Sequence, residues 1–286
     1  MVIKPVSVLS MIFLLNVDSL GFACSKEVLT QKLFNAVAEG APESLKECIE
    51  NGADLDAKDD NSATVLHHAA LGNHVACLAL LLATKKVDLN ALDEHGKTPV
   101  HVAAYVGNIE SLRMLLDAGA AVDVLGQDNM TPLHIAVLRG EVESVRTLTR
   151  YGANVKTVTQ SDATALHFAA VGGEKHFNDS EDSFHPLIPI EKPFSSEANK
   201  EITKILLAHG ADYQAPQNSG ITPYTLAKIY HNVGVLEIFE RTCAYCQKKA
   251  VIYQCSQCKQ NTYCSPSCQK HDWVEHKSVC KKTSLK

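Results

Sequence analysis

From Leu33 onward, the same short burst of apolar and small residues returns along the chain at nearly even intervals. TVLHHAA (64–70), TPVHVAA (98–104), TPLHIAV (131–137) and TALHFAA (164–170) are copies of one pattern. KLFNAVAEG (32–40) is an earlier copy and TPYTLAK (222–228) a degenerate one. The equivalent apolar positions are Leu33, Leu66, Val100, Leu133, Leu166 and Tyr224, separated by 33, 34, 33, 33 and 58 residues. The last interval is one repeat plus an insertion of 25 residues. A period of this size marks a stack of small units, each burying its neighbour's face.

Each copy carries the same local grammar. A Thr precedes a short apolar run, where its hydroxyl can cap free N–H groups of a helix. Pro99, Pro132 and Pro223 stand where a first helical turn tolerates proline. A second run such as Ile109–Leu116 has apolar residues at helical spacing. The turns containing Gly52, Gly152 and Gly210 then close the unit, and glycine there can take the left-handed conformation that stops a helix. The expected fold is an all-α solenoid of about six repeats over 25–242. The insertion, 174–199, falls between the two helices of the fifth repeat. Its three prolines and its run of serines and acids oppose any regular element.

Motif, period and closing turn together make this region resemble the ankyrin family. The resemblance implies stacked helix pairs with turn tips and a concave binding face. His67, His101, His134 and His167 recur once per repeat; convergent metal ligation is excluded by their spacing along the stack, about 10 Å between adjacent helices. They are expected to hydrogen-bond loop backbone instead. The residue after the Ala-Ala pair, which is Ala136-Val137 in one copy, faces the groove in ankyrin proteins; here it is Leu71, Tyr105, Leu138 and Val171, with Val106 beside Tyr105. These apolar residues are expected to form a solvent-exposed, partner-binding stripe.

The other chemistry-bearing segment is 243–280. It contains Cys243-x2-Cys246, Cys255-x2-Cys258, Cys264-x3-Cys268 and His276-x3-Cys280. Eight N/S ligands suffice for two tetrahedral zinc sites with no open position for water, the pattern of structural zinc. CxxC pairs suit zinc because a tight turn aims both thiolates at one ion. Residues spaced by x3 share a helix face. The segment has few large apolar residues, so metal would supply its folding energy. With Tyr263 before Cys264 and Asp272-Trp273 before His276, it is similar to the MYND finger family. That resemblance implies interleaved sites: Cys243, Cys246, Cys264 and Cys268 on one ion, and Cys255, Cys258, His276 and Cys280 on the other. It also implies binding of short Pro-containing peptides, with Trp273 as the aromatic contact. His271 lies off the ligand pattern.

Composition changes the picture little. Of 286 residues, 45% are hydrophobic and 21% charged, enough for a sizeable core. Net charge is −5, yet 243–286 carries eight lysines and two acids, leaving the remainder acidic. Lysine without arginine is a weak nucleic-acid signature. Seven of ten cysteines lie in the finger, which favours a reducing compartment, cytoplasm or nucleus. Residues 1–24 pull the other way: a basic start, an apolar run and small residues at Gly21 and Ala23 resemble an export signal too short to span a membrane. That leaves a secreted protein, acting in another cell, as the alternative. A short basic tail, 281–286, ends the chain. No phosphate-binding loop, dinucleotide glycine pattern or nucleophile elbow occurs, so the sequence reads as a non-enzymatic adaptor.

Overall fold

The computed structural model describes residues 26–172 and 196–240, together with the strand residues 253–254 and 262–263. The apolar leader, most of the insertion, the eight zinc-ligand candidates and Trp273 lie outside the described residues. Twelve α-helices follow one another within them: α1 (Lys26–Ala38), α2 (Pro42–Glu50), α3 (Val65–Gly72), α4 (Val75–Ala83), α5 (Pro99–Val106), α6 (Ile109–Asp117), α7 (Pro132–Arg139), α8 (Val142–Arg150), α9 (Ala165–Val171), α10 (Ser196–Ala208), α11 (Pro223–Ile229) and α12 (Val233–Glu240). Odd-numbered helices pack on one another in one row and even-numbered helices in a second, so each pair leans only on its neighbours. Two-residue strands β1 (Tyr253–Gln254) and β2 (Thr262–Tyr263) pair antiparallel, Tyr253 with Tyr263 and Gln254 with Thr262.

The repeating apolar positions form the core. Leu33, Leu66, Val100, Leu133 and Leu166 are all buried. Ala69–Ala70, Ala103–Ala104 and Ala169–Ala170 are buried too, and their small side chains let the first row of helices approach closely. Tyr224, from the degenerate copy, is only partly covered and packs against Tyr213 and Phe239, whose rings stack at 5.2 Å.

Thr98 and Thr131 cap α5 and α7 by accepting from the backbone N–H of His101 and His134. The prolines occupy the first turn, where no N–H is missed. Gly52, Gly152 and Gly210 have φ of 78°, 88° and 87°, the left-handed turn expected of them.

The histidines tie repeat to repeat. The backbone N–H of Thr64, Thr98, Thr131 and Thr164 donates to Nδ1 of His67, His101, His134 and His167 at 3.0–3.1 Å. An N–H can only donate, so Nδ1 must be the unprotonated nitrogen and the proton sits on Nε2. Nε2–H then donates to a carbonyl of the following repeat: Lys97 at 2.9 Å, Met130 at 3.1 Å, Thr157 at 3.1 Å and Ile221 at 3.3 Å. This is the backbone role the sequence predicts. A second ladder runs through the turns. Asp56 accepts from the Asp88 N–H, Asn90 from that of Ala121, and Asp123 from that of Asn154.

One expectation is corrected: the insertion's composition predicts no regular element, but its last four residues, 196–199, are helical, because α10 begins at Ser196. Glu197 lies in its first turn, at the positive end of the helix dipole, and Asn199 and Ile202 are buried against the stack, so the helix starts earlier than the insertion's composition suggests.

Burial drives the pKa of all four bridging histidines down, to about 4 for His101 and His134. Their native pKa lies below the unfolded value, so their stabilisation is present above about pH 6.5 and is lost as pH falls toward 4. Each strongly shifted histidine should cost about 1.4 kcal/mol per pH unit across that window. Urea unfolding followed by circular dichroism should show stability falling from about pH 6.5 to 4.5, and His101→Gln should flatten that slope while lowering stability at neutral pH.

Candidate interaction surface

The predicted stripe lies on the row of α3, α5, α7 and α9, the face that the family resemblance implies is the inner one. The predicted stripe is uneven on this face. Leu71 is 40% exposed, while Val106, Leu138 and Val171 are half-buried. Tyr105 does not match the expectation of exposure: it is 6% exposed. The cause is two cations from different elements. The Arg139 guanidinium at the end of α7 lies 4.6 Å from the Tyr105 ring centroid, and the Lys97 ammonium in the preceding turn lies 5.6 Å away. The ring is a structural contact between the third and fourth repeats as much as a surface feature.

Lys97 and Arg139 were missed by the sequence reading, although the repeat holds the signal for one of them. Lys97 immediately precedes its repeat threonine, where the other copies have Ala63, Met130 and Ala163. A charge at a position otherwise apolar is a departure from the pattern. Lys97 is buried, and its ammonium pKa is lowered by that burial, with the Asp93 carboxylate opposing the shift. Nearby, His68 Nε2 lies 2.8 Å from an Asp59 carboxylate oxygen, and Phe34 meets the His68 ring edge-on at 5.4 Å. Burial works to raise the Asp59 pKa, but the His68 hydrogen bond and the N–H groups of Ala63 and Asn61 hold it below its usual value.

Between the second and third repeats this face opens into a pocket of about 120 Å³, with Leu71, Val102 and Tyr105 as apolar walls and Lys97 and Asp59 among its polar ones. Among the described residues no group of histidine, cysteine and acidic side chains could hold a metal ion, in keeping with the backbone duty of the four repeat histidines. Nor is any described helix long and apolar enough to cross a membrane.

The model for ankyrin repeats matches 33–126 and 119–178, just over half of the chain. The chain belongs to the ankyrin-repeat family. The MYND finger model matches 243–280 in the same chain. This ankyrin-repeat protein is also similar to the zinc finger MYND domain-containing protein 10 homolog of Drosophila melanogaster, 52% identical over 44 residues, covering 15% of this chain and 10% of that protein. Tudor domain-containing protein 1 of Danio rerio is 42% identical over 41 residues, 14% of this chain and 3% of its own. The Mus musculus protein of that name is 54% identical over 28 residues, 10% and 2%. The chain thus spans a tenth or less of the length of these relatives. Both of its modules are protein-interaction modules, and the finger is a zinc-binding one.

If Tyr105 is a packed contact, Tyr105→Ala should destabilise the full chain by about 3 kcal/mol, as for other buried aromatics. Leu71→Asp, at an exposed position, should change stability by no more than about 0.5 kcal/mol. Urea unfolding of both variants, followed by circular dichroism, checks the pair.

Proposed function

We propose that this ankyrin-repeat protein is a non-enzymatic adaptor of the cytoplasm or nucleus, with a protein partner in the repeat groove and a Pro-containing peptide at the finger. The observation that carries the reading is the apolar pocket on the inner face, beside an exposed Leu71. Isolated exposed leucines are ordinary, but one at the rim of an apolar concavity is what a partner side chain would cover. Leu71, Val106, Leu138 and Val171 supply the groove contacts in this reading. Tyr105 contributes from beneath, held by Arg139 and Lys97.

The finger holds two zinc ions in this proposal. Seven thiolates and one imidazole fit zinc, which favours tetrahedral sulfur and nitrogen donors. Cys243, Cys246, Cys264 and Cys268 take one ion and Cys255, Cys258, His276 and Cys280 the other. Zinc here is structural, and the peptide contact falls to Trp273.

Elemental analysis of the purified full chain should give two zinc ions per chain, and a ratio near one would refute the division. Cys264→Ser should lower the zinc content while leaving the helical circular dichroism of the repeats in place. In a pull-down from a reducing extract, Leu71→Asp combined with Leu138→Asp should lose the groove partner and keep any peptide bound at the finger.

A further inference from the structure

The pocket between the second and third repeats arises from a difference between copies of the motif. Seven residues after the repeat threonine stand Leu71, Tyr105 and Leu138; eight after it stand Gly72, Val106 and Arg139. In the next interval along the stack, Arg139 reaches back and covers the Tyr105 ring at 4.6 Å. The residue in the corresponding place over Leu71 is Val106, which is too short to do the same. Leu71 therefore stays 40% exposed and a space of about 120 Å³ remains in front of Val102 and Tyr105.

Volume and wall chemistry narrow the occupant. An apolar cavity of about 150 Å³ accepts a benzene ring, so this open-sided pocket of about 120 Å³ can seat most of one aromatic side chain, the remainder lying at its open side, and not a helix or a second side chain. A carboxylate entering it would approach Asp59 and Asp93. An aliphatic side chain would fill the space but use neither Tyr105 nor Lys97. An aromatic ring can meet the Tyr105 ring edge-on or offset, and it presents a face to the Lys97 ammonium, which already lies 5.6 Å from the Tyr105 ring centre.

We propose that this pocket is an anchor site for a single aromatic side chain of the partner segment that runs along the groove. The proposal rests on the groove being a partner surface, and it adds which residue type enters and where.

Indole serves as the probe, titrated into the zinc-loaded full chain while the methyl resonances of leucine and valine are followed by NMR. Leu71 and Val102 should shift with saturation, Leu138 and Val171 should not, and cyclohexanol should bind more weakly. Leu71→Trp fills the pocket with the chain's own ring and should weaken indole binding by at least about tenfold, a change of 1.4 kcal/mol. Val106→Arg, which restores the cover seen one repeat later, should act in the same direction and guards against a misfolded first variant. Absence of indole shifts at Leu71 and Val102, or Val102 shifts that persist in both variants, overturns the pocket. Equal binding of cyclohexanol overturns the aromatic assignment. If indole binds at the pocket but both single variants still capture the groove partner at full strength, the pocket is no anchor. If the double aspartate variant also keeps that partner, it is the groove reading that fails.

Discussion

A backbone N–H of a repeat threonine donates to one nitrogen of a histidine three residues on, and the other nitrogen donates to a carbonyl one repeat further along. The rest of the stack depends on this arrangement, made by His67, His101, His134 and His167. It satisfies a helix-start donor and a turn carbonyl together, groups that would be costly to bury unpaired. It also fixes the ring as neutral, since a proton on Nδ1 would face the threonine N–H. Imidazoles that look like a row of ligands are therefore consumed by the joints of the solenoid.

Because the joints are made by backbone and by the Thr and His that four of the copies share, the groove face is left to positions that vary between copies. Leu71, Tyr105, Leu138 and Val171 stand in one register on the same scaffold, yet they differ in exposure because the covering residue comes from the next repeat. Arg139 closes one interval where Val106 leaves another open. Chemical identity along the groove is thus set by pairs of residues roughly one repeat apart, not by single positions.

The two ends of the chain are stabilised differently. The repeats bury leucines and alanines of adjacent units, with the aromatic cluster of Tyr213, Tyr224 and Phe239 closing the last pair. The segment 243–280 has too few large apolar residues for that route and relies, in our reading, on thiolate–zinc bonds. In the sequence only Arg241 and Thr242 stand between Glu240, where the last repeat helix ends, and the first cysteine of the finger, Cys243.

The sequence by itself determined the repeat period, the helix pairs with their capping threonines and prolines, the left-handed glycines and the backbone role of the histidines. All of these are local or recur every 33 residues, so a period exposes them. The eight-ligand spacing of the finger is legible for the same reason, since its meaning lies in short intervals. Only the tertiary structure decided that Tyr105 is covered, that Lys97 is buried beside it, that a pocket opens in front of Leu71, and that α10 starts at Ser196. Each depends on a side chain delivered from another element or on burial against the stack. Pattern along the chain tells which face a residue occupies; what lies over that face is set by packing between repeats.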